Sequence, residues 1–239
     1  MTSTEELNTN ETTSPRQIIS FCERTVNIFR LNLNETEDLK KTSLGRLDFT
    51  NTSKLDVKLP FNKHFSKSIP KLYQLTSLNV QLTTDYTNQS DLRVLLEQAP
   101  NLHTLSVLCP TKTTLKYFLA VINNPSILKL NLPKAVSLTD GIFYNIEQCV
   151  AFSHSPLGKQ CEILTIIVQN KECIIHLINE MNNLRLLIVD SFDENYVNSV
   201  SSYRKCQNLF AWLKLTLPST IKIAEYDCCH EDRIRLWIR

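Results

Sequence analysis

The chain of 239 residues predicts an α/β solenoid, with a parallel sheet on the concave face and helices on the convex face. Two observations lead to that class. The phrase apolar-x-x-apolar-x-apolar recurs at 75–80, 102–107, 127–132, 163–168 and 184–189, with starts 27, 25, 36 and 21 residues apart. Between copies, apolar residues fall three and four apart, the spacing of one helix face. Strand and helix alternating at this interval call for parallel strands joined by crossovers. One such unit cannot cover its own apolar side, so neighbours must stack.

The elements follow in order. The opening "MTSTEELNTNETTSPRQ" is polar and acidic, with little to offset the entropy of ordering, so residues 1–15 read as a disordered tail and 16–239 as one domain. Two early copies of the phrase fit at Ile28-x-x-Leu31-x-Leu33 and Leu44-x-x-Leu47-x-Phe49, and the stretch from 44 to 75 holds an extra strand or an irregular loop. Within each phrase the last two apolar positions are two apart and share a face, while the residue between them points the other way. Helical spacing appears at 90–100, opened by Ser90 as a cap and stopped before Pro100. It returns at 113–124, 137–150 and 171–181, and again at 206–217, where Leu209, Phe210, Leu213 and Leu217 precede Pro218. The final stretch alternates as a strand, Ile234, Leu236 and Ile238 facing inward and Arg233, Arg235, Trp237 and Arg239 outward. A doubly wound fold would need a glycine-rich phosphate turn, and the three glycines (Gly45, Gly141 and Gly158) are scattered.

The phrase, its spacing and the alternation resemble the leucine-rich-repeat superfamily, in the irregular intracellular form found behind an F-box. The closing portion is similar to one set of these proteins: "NLRLLIVD" at 183–190, a polar loop, a helix holding Trp212 and Leu213, "LPST" at 217–220 and "IRLWIR" at 234–239. The resemblance implies repeats that hold a substrate protein while an F-box docks on a ubiquitin-ligase adaptor. Two departures limit it. The first 45 residues lack the Leu-Pro opening and apolar pair of an F-box, so the resemblance implies the substrate-binding portion of such a receptor. The position that usually carries Asn or Cys is Thr36, Thr52, Thr83, Pro110, Ala135, Lys171 and Phe192 here, so the usual asparagine ladder is not expected.

Composition narrows the function classes. A net charge of +2 is too mild to point to nucleic acid or a membrane surface, and no apolar run approaches a bilayer span. With no signal peptide in the opening residues, cytoplasmic or nuclear residence is expected. Cys109, Cys149, Cys161 and Cys173 lie in or beside apolar runs and are expected as buried thiols rather than disulfides.

Sites of chemistry are then tested one at a time. Cys228, Cys229 and His230, with Cys206 and Asp227 near in sequence, lack zinc-ligand spacing, so no metal and no cofactor is expected. His64, His103, His154, His176 and His230 accompany no Gly-x-Ser-x-Gly turn, and "HSPLG" at 154–158 reads as a plain turn, so no catalytic residue is nominated and the chain is not read as an enzyme. Lys63, His64, Lys67 and Lys71 near Phe61, Phe65 and Tyr73 read as a solvated loop. Arg233, Arg235, Trp237 and Arg239 form the sharper basic cluster, readable as a cap, a partner contact, or the basis of a nucleic-acid-associated scaffold.

Parity along the strands nominates the concave floor: Ser77, Asn79, Gln81, Thr104, Ser106, Lys129, Asn131, Thr165, Gln169 and Asp190. That floor is polar and nearly uncharged, without a convergent pocket for a small substrate. It suits a protein partner held through many modest contacts. The expected function is non-catalytic protein recognition.

Overall fold

The computed structural model describes residues 28–31, 52–59, 71–82, 88–108, 122, 124–132, 143–191, 202–224 and 234–238. The expected tail, the domain start at 16, the phrase at 44–49 and nearly all of the helix at 113–124 lie outside these residues.

Nine strands form one sheet: β1 (Ile28–Leu31), β2 (Lys54–Lys58), β3 (Ser77–Gln81), β4 (Thr104–Leu108), β5 (Lys129–Asn131), β6 (Ile163–Val168), β7 (Leu186–Ser191), β8 (Lys222–Ala224) and β9 (Ile234–Trp237). They lie in the order β1-β2-β3-β4-β5-β6-β7-β9-β8. Every neighbour from β1 to β7 is parallel, as the phrase predicts. The end of the sheet departs from that rule, because β9 runs antiparallel both to β7 and to β8.

The register carries the logic of the core. Leu55, Leu78, Leu105, Leu130, Leu164, Leu187 and Leu236 stand side by side, one per strand, each at most 2% exposed. Two residues on, Val57, Val80 and Val107, and later Ile166, Val189 and Ile234, make a second row facing the same way. Each fully buried side chain of this size stabilises by roughly 1.5–3 kcal/mol, so these rows are the main apolar contribution of the sheet.

Five helices are described: α1 (Asn88–Gln98), α2 (Ile146–His154), α3 (Pro156–Gln160), α4 (Lys171–Glu180) and α5 (Ser202–Thr216). Leu92, Leu95 and Leu96 of α1, Cys149 and Phe152 of α2, Cys173, Ile174 and Leu177 of α4, and Leu209 and Leu213 of α5 join one buried cluster with the leucine row. These helical side chains therefore pack on the same side of the sheet. Among the described residues, none of these helices is long and apolar enough to cross a membrane.

Local chemistry sets the helix ends. Asn145 caps α2 in a reciprocal box with Gln148, and the Asn170 side chain accepts from the Cys173 backbone at the start of α4. Of the helix expected over 137–150, residues 137–142 lie outside the described ones, and the described part begins at Ile146, because Tyr144 is held in extended form by its bridge to Val168. Helix α1 begins at Asn88, which puts Ser90 inside its first turn rather than at the cap. The "HSPLG" segment is more than a turn: Ser155 ends α2 and caps α3, with Pro156 in the first turn. Gly158 packs so tightly that a Cβ would lie 2.0 Å from the Phe152 carbonyl oxygen.

Two copies of the phrase need correction, the first in β1, where Phe29 and not Leu31 aligns with Leu55, so that copy starts two residues before Ile28. The strand beside β3 is Lys54–Lys58, the extra strand expected in the stretch from 44 to 75, and Thr52 takes the first apolar position there, 5% exposed. In β6, Leu164 and not Ile166 joins the leucine row, so that copy begins at Cys161, two residues before the expected start at Ile163.

Candidate functional site

The face opposite the buried cluster is the candidate site. Three rows of outward residues cross it at right angles to the strands. The first runs Lys54, Ser77, Thr104, Lys129, Ile163, Leu186, Trp237 and Lys222. The second runs Asp56, Asn79, Ser106, Asn131, Thr165, Ile188, Arg235 and Ala224. A shorter third row holds Lys58, Gln81 and Leu108, and further along Ile167 and Asp190.

Most nominated residues do share this face, and their burial differs. Asn79, Gln81, Lys129 and Arg235 are exposed, while Ser77, Thr104, Ser106, Asn131 and Gln169 are half-buried. Thr165 is buried at 7% exposure, so it does not line a solvated floor as expected. Asp190 is placed by its backbone register opposite Ile167. Arg233 and Arg239 lie outside the described residues, leaving Arg235 and Trp237 of the expected basic cluster. Trp237 is 48% exposed, on the face its alternation predicts.

The polar floor expected from parity holds only from β2 to β5. From β6 onward the outward residues include Ile163, Ile167, Leu186, Ile188 and Trp237, with Thr165, Asp190, Arg235, Lys222 and Ala224 among them. Ile167 and Leu186 are 7% and 9% exposed, yet neither belongs to the cluster beneath the sheet. Sequence reasoning missed this patch because "ILTIIV" and "LRLLIV" are apolar at both parities. The signal was the loss of alternation itself, which marks a strand with two apolar faces.

A second recurring feature went unread. The residue just before four copies of the phrase donates its side chain to a backbone carbonyl of the preceding unit: Asn101 to Tyr73 at 2.8 Å, Ser126 to Pro100 at 2.7 Å, Gln160 to Asn124 and Ile127 at 2.6 and 2.9 Å, and Asn183 to Lys159 at 2.7 Å. These five bonds do for neighbouring units what an asparagine ladder would do, from a different position.

On the helical side, the fold brings Ser153, His154 and His176 together. The Ser153 hydroxyl is 3.1 Å from His176 Nε2 and 3.3 Å from His154 Nδ1. It also donates to the Val150 carbonyl, and Ser153 is only 1% exposed. A nucleophile must meet a substrate, and a hydroxyl closed in between two helices cannot.

Three of the four thiols expected to be buried are interior side chains, and Cys109 lies outside the described residues. Cys149, Cys161 and Cys173 are free and buried. Burial pushes the Cys161 thiol up to about 12, and a side-chain hydrogen bond between Cys149 and Cys173, reinforced by burial, holds Cys149 far above the ordinary thiol range. Among the described residues no group of three or more His, Cys, Asp or Glu side chains is placed to hold a metal ion.

Comparison with known proteins gives no match to a family model and none to a curated sequence.

Proposed function

We propose that this chain is a stacked, curved solenoid of leucine-rich-repeat type that recognises a protein through the outward face of its sheet. The single observation behind the reading is the leucine row with its opposite face. Seven strands in register bury one side chain each, and the intervening residues thereby form a continuous surface over which no described helix packs. Such a face carries several hydrogen-bonding groups and an apolar area towards its β6–β9 end, a mixture that suits a protein-binding patch. The similarity of the closing segment to F-box-associated repeats supports reading this surface as the substrate-binding portion of a ubiquitin-ligase receptor.

Affinity capture with quantitative mass spectrometry tests the reading. The wild-type chain is compared with Asn79→Arg/Ser106→Arg on the outward face and with Arg93→Glu on the exposed side of α1. Loss of specific partners in the first variant alone supports recognition by this face, and recovery of ligase adaptors supports the receptor role. Identical recovery by all three proteins sinks both.

A further inference from the structure

We infer that the β6–β9 part of the outward face binds an extended acidic segment of a partner protein, anchored by an apolar side chain beside Trp237. The inference rests on the protein-recognition reading above and adds the chemistry of the partner.

Three observations carry it. The first is an apolar platform. Ile163, Leu186 and Trp237 are consecutive in one row, and Ile188 lies beside Leu186 on the same strand and face. Leu186 is 9% exposed and Trp237 is 48% exposed, so the indole is the part left in water. A half-exposed Trp next to a packed apolar floor has the composition of an interface anchor.

The second is the charge around the platform. Lys129 precedes Ile163 in the first row, Lys222 follows Trp237, and Arg235 adjoins Ile188 in the second row. All three are exposed, and among the described residues none has an ion-pair partner. The nearby Glu162 carboxylate is already engaged, 3.5 Å from Arg185. Among the described residues, the one acid placed on this part of the face by register is Asp190, opposite Ile167 in the third row.

The third is spacing. Lys129 and Lys222 are separated by four strand intervals, about 19 Å at roughly 4.8 Å per interval. An extended peptide of about six residues spans that distance, so two acids can meet the two lysines while an apolar residue between them reaches the indole. A nucleic acid fits less well, because phosphates need a continuous basic track and here aliphatic side chains interrupt it.

Selection of the full chain against a random dodecapeptide display library tests the inference, followed by fluorescence anisotropy on the enriched peptides. The expected result is enrichment of peptides with two acids about five or six residues apart around an aromatic or aliphatic centre. Trp237→Ala and Lys129→Glu/Lys222→Glu should each weaken these peptides roughly tenfold or more, while Lys54→Glu/Lys58→Glu at the far end of the face leaves them within about twofold. Unchanged circular dichroism and melting of the variants keep a folding defect apart from a binding defect. No enrichment, basic or uncharged consensus peptides, or a single-stranded RNA oligonucleotide that binds more tightly through Trp237 would overturn it. If face variants still abolish partner capture while no acidic peptide is selected, this inference fails and the broader reading stands. If no face variant alters capture, the broader reading fails by itself.

Discussion

From β2 to β5 the outward face is Ser77, Asn79, Thr104, Ser106 and their polar neighbours; from β6 to β9 it is Ile163, Ile167, Leu186, Ile188 and Trp237. Beneath both stretches the same leucine row runs without interruption. The inner face answers to one demand, covering the helices, and it is uniform. The outer face answers to no packing rule of the repeat, so its change in character must come from another demand. That is why the apolar end, rather than the polar floor, carries the sharper functional reading.

Unfolding measurements distinguish the two stretches. The largest effect is expected inside, where Leu105→Ala and Leu164→Ala should each cost about 2–5 kcal/mol in chemical denaturation. Near-equal costs would confirm one interior for both stretches, while a cost under about 1 kcal/mol for either would break it. Next comes the titration of Cys161, which fills the position held by Leu75 and Leu102 in earlier units. Its folded-state value near 12 stands above the ordinary 9.0, so its stabilising contribution is whole below pH 9 and disappears as pH rises towards 12. Wild type should therefore lose about 1.4 kcal/mol per pH unit over that window relative to Cys161→Ala, read as a difference of unfolding free energies. Outside, Ile167→Ala should cost about 2 kcal/mol because the side chain is buried, whereas Asn79→Ala should stay within about 0.5 kcal/mol. Equal values would erase the distinction between the two stretches. An effect of opposite sign is expected at the boundary. The Asn131 Oδ1 is buried without a hydrogen-bond partner, so Asn131→Leu should stabilise by about 1 kcal/mol in the same assay.

Much of the architecture was legible in the sequence. Leu78, Leu105, Leu130 and Leu187 stand where the phrase puts them, and the described helices at 88–98, 171–180 and 202–216 follow their apolar spacing. The errors have physical causes. Thr52 occupies an apolar slot in β2, so apolar spacing marks that strand only as an extra strand or loop and not as a copy of the phrase. In β6 five of six residues are apolar, so pattern alone could not fix the register, and the start slipped by two. A slip of two keeps parity, which is why Thr165 still lies on the outward face although it is buried. Strand direction is absent from side-chain periodicity, so the reversal at β9 could not be read. The candidate face was half legible: alternation names polar outward residues and is silent where both faces are apolar.

The reversal at β9 has a further consequence. A stack of like-directed units can be lengthened by duplicating any one of them, because each new unit meets the neighbours it expects. After β7 this modularity ends, since the next partner runs the opposite way and the outermost strand, β8, has only three residues with an exposed lysine at its start. Such a margin is a poor template for a further strand, whether from an added unit or from another molecule. An engineer wishing to extend this protein should insert units between β3 and β4 and leave the terminal hairpin untouched.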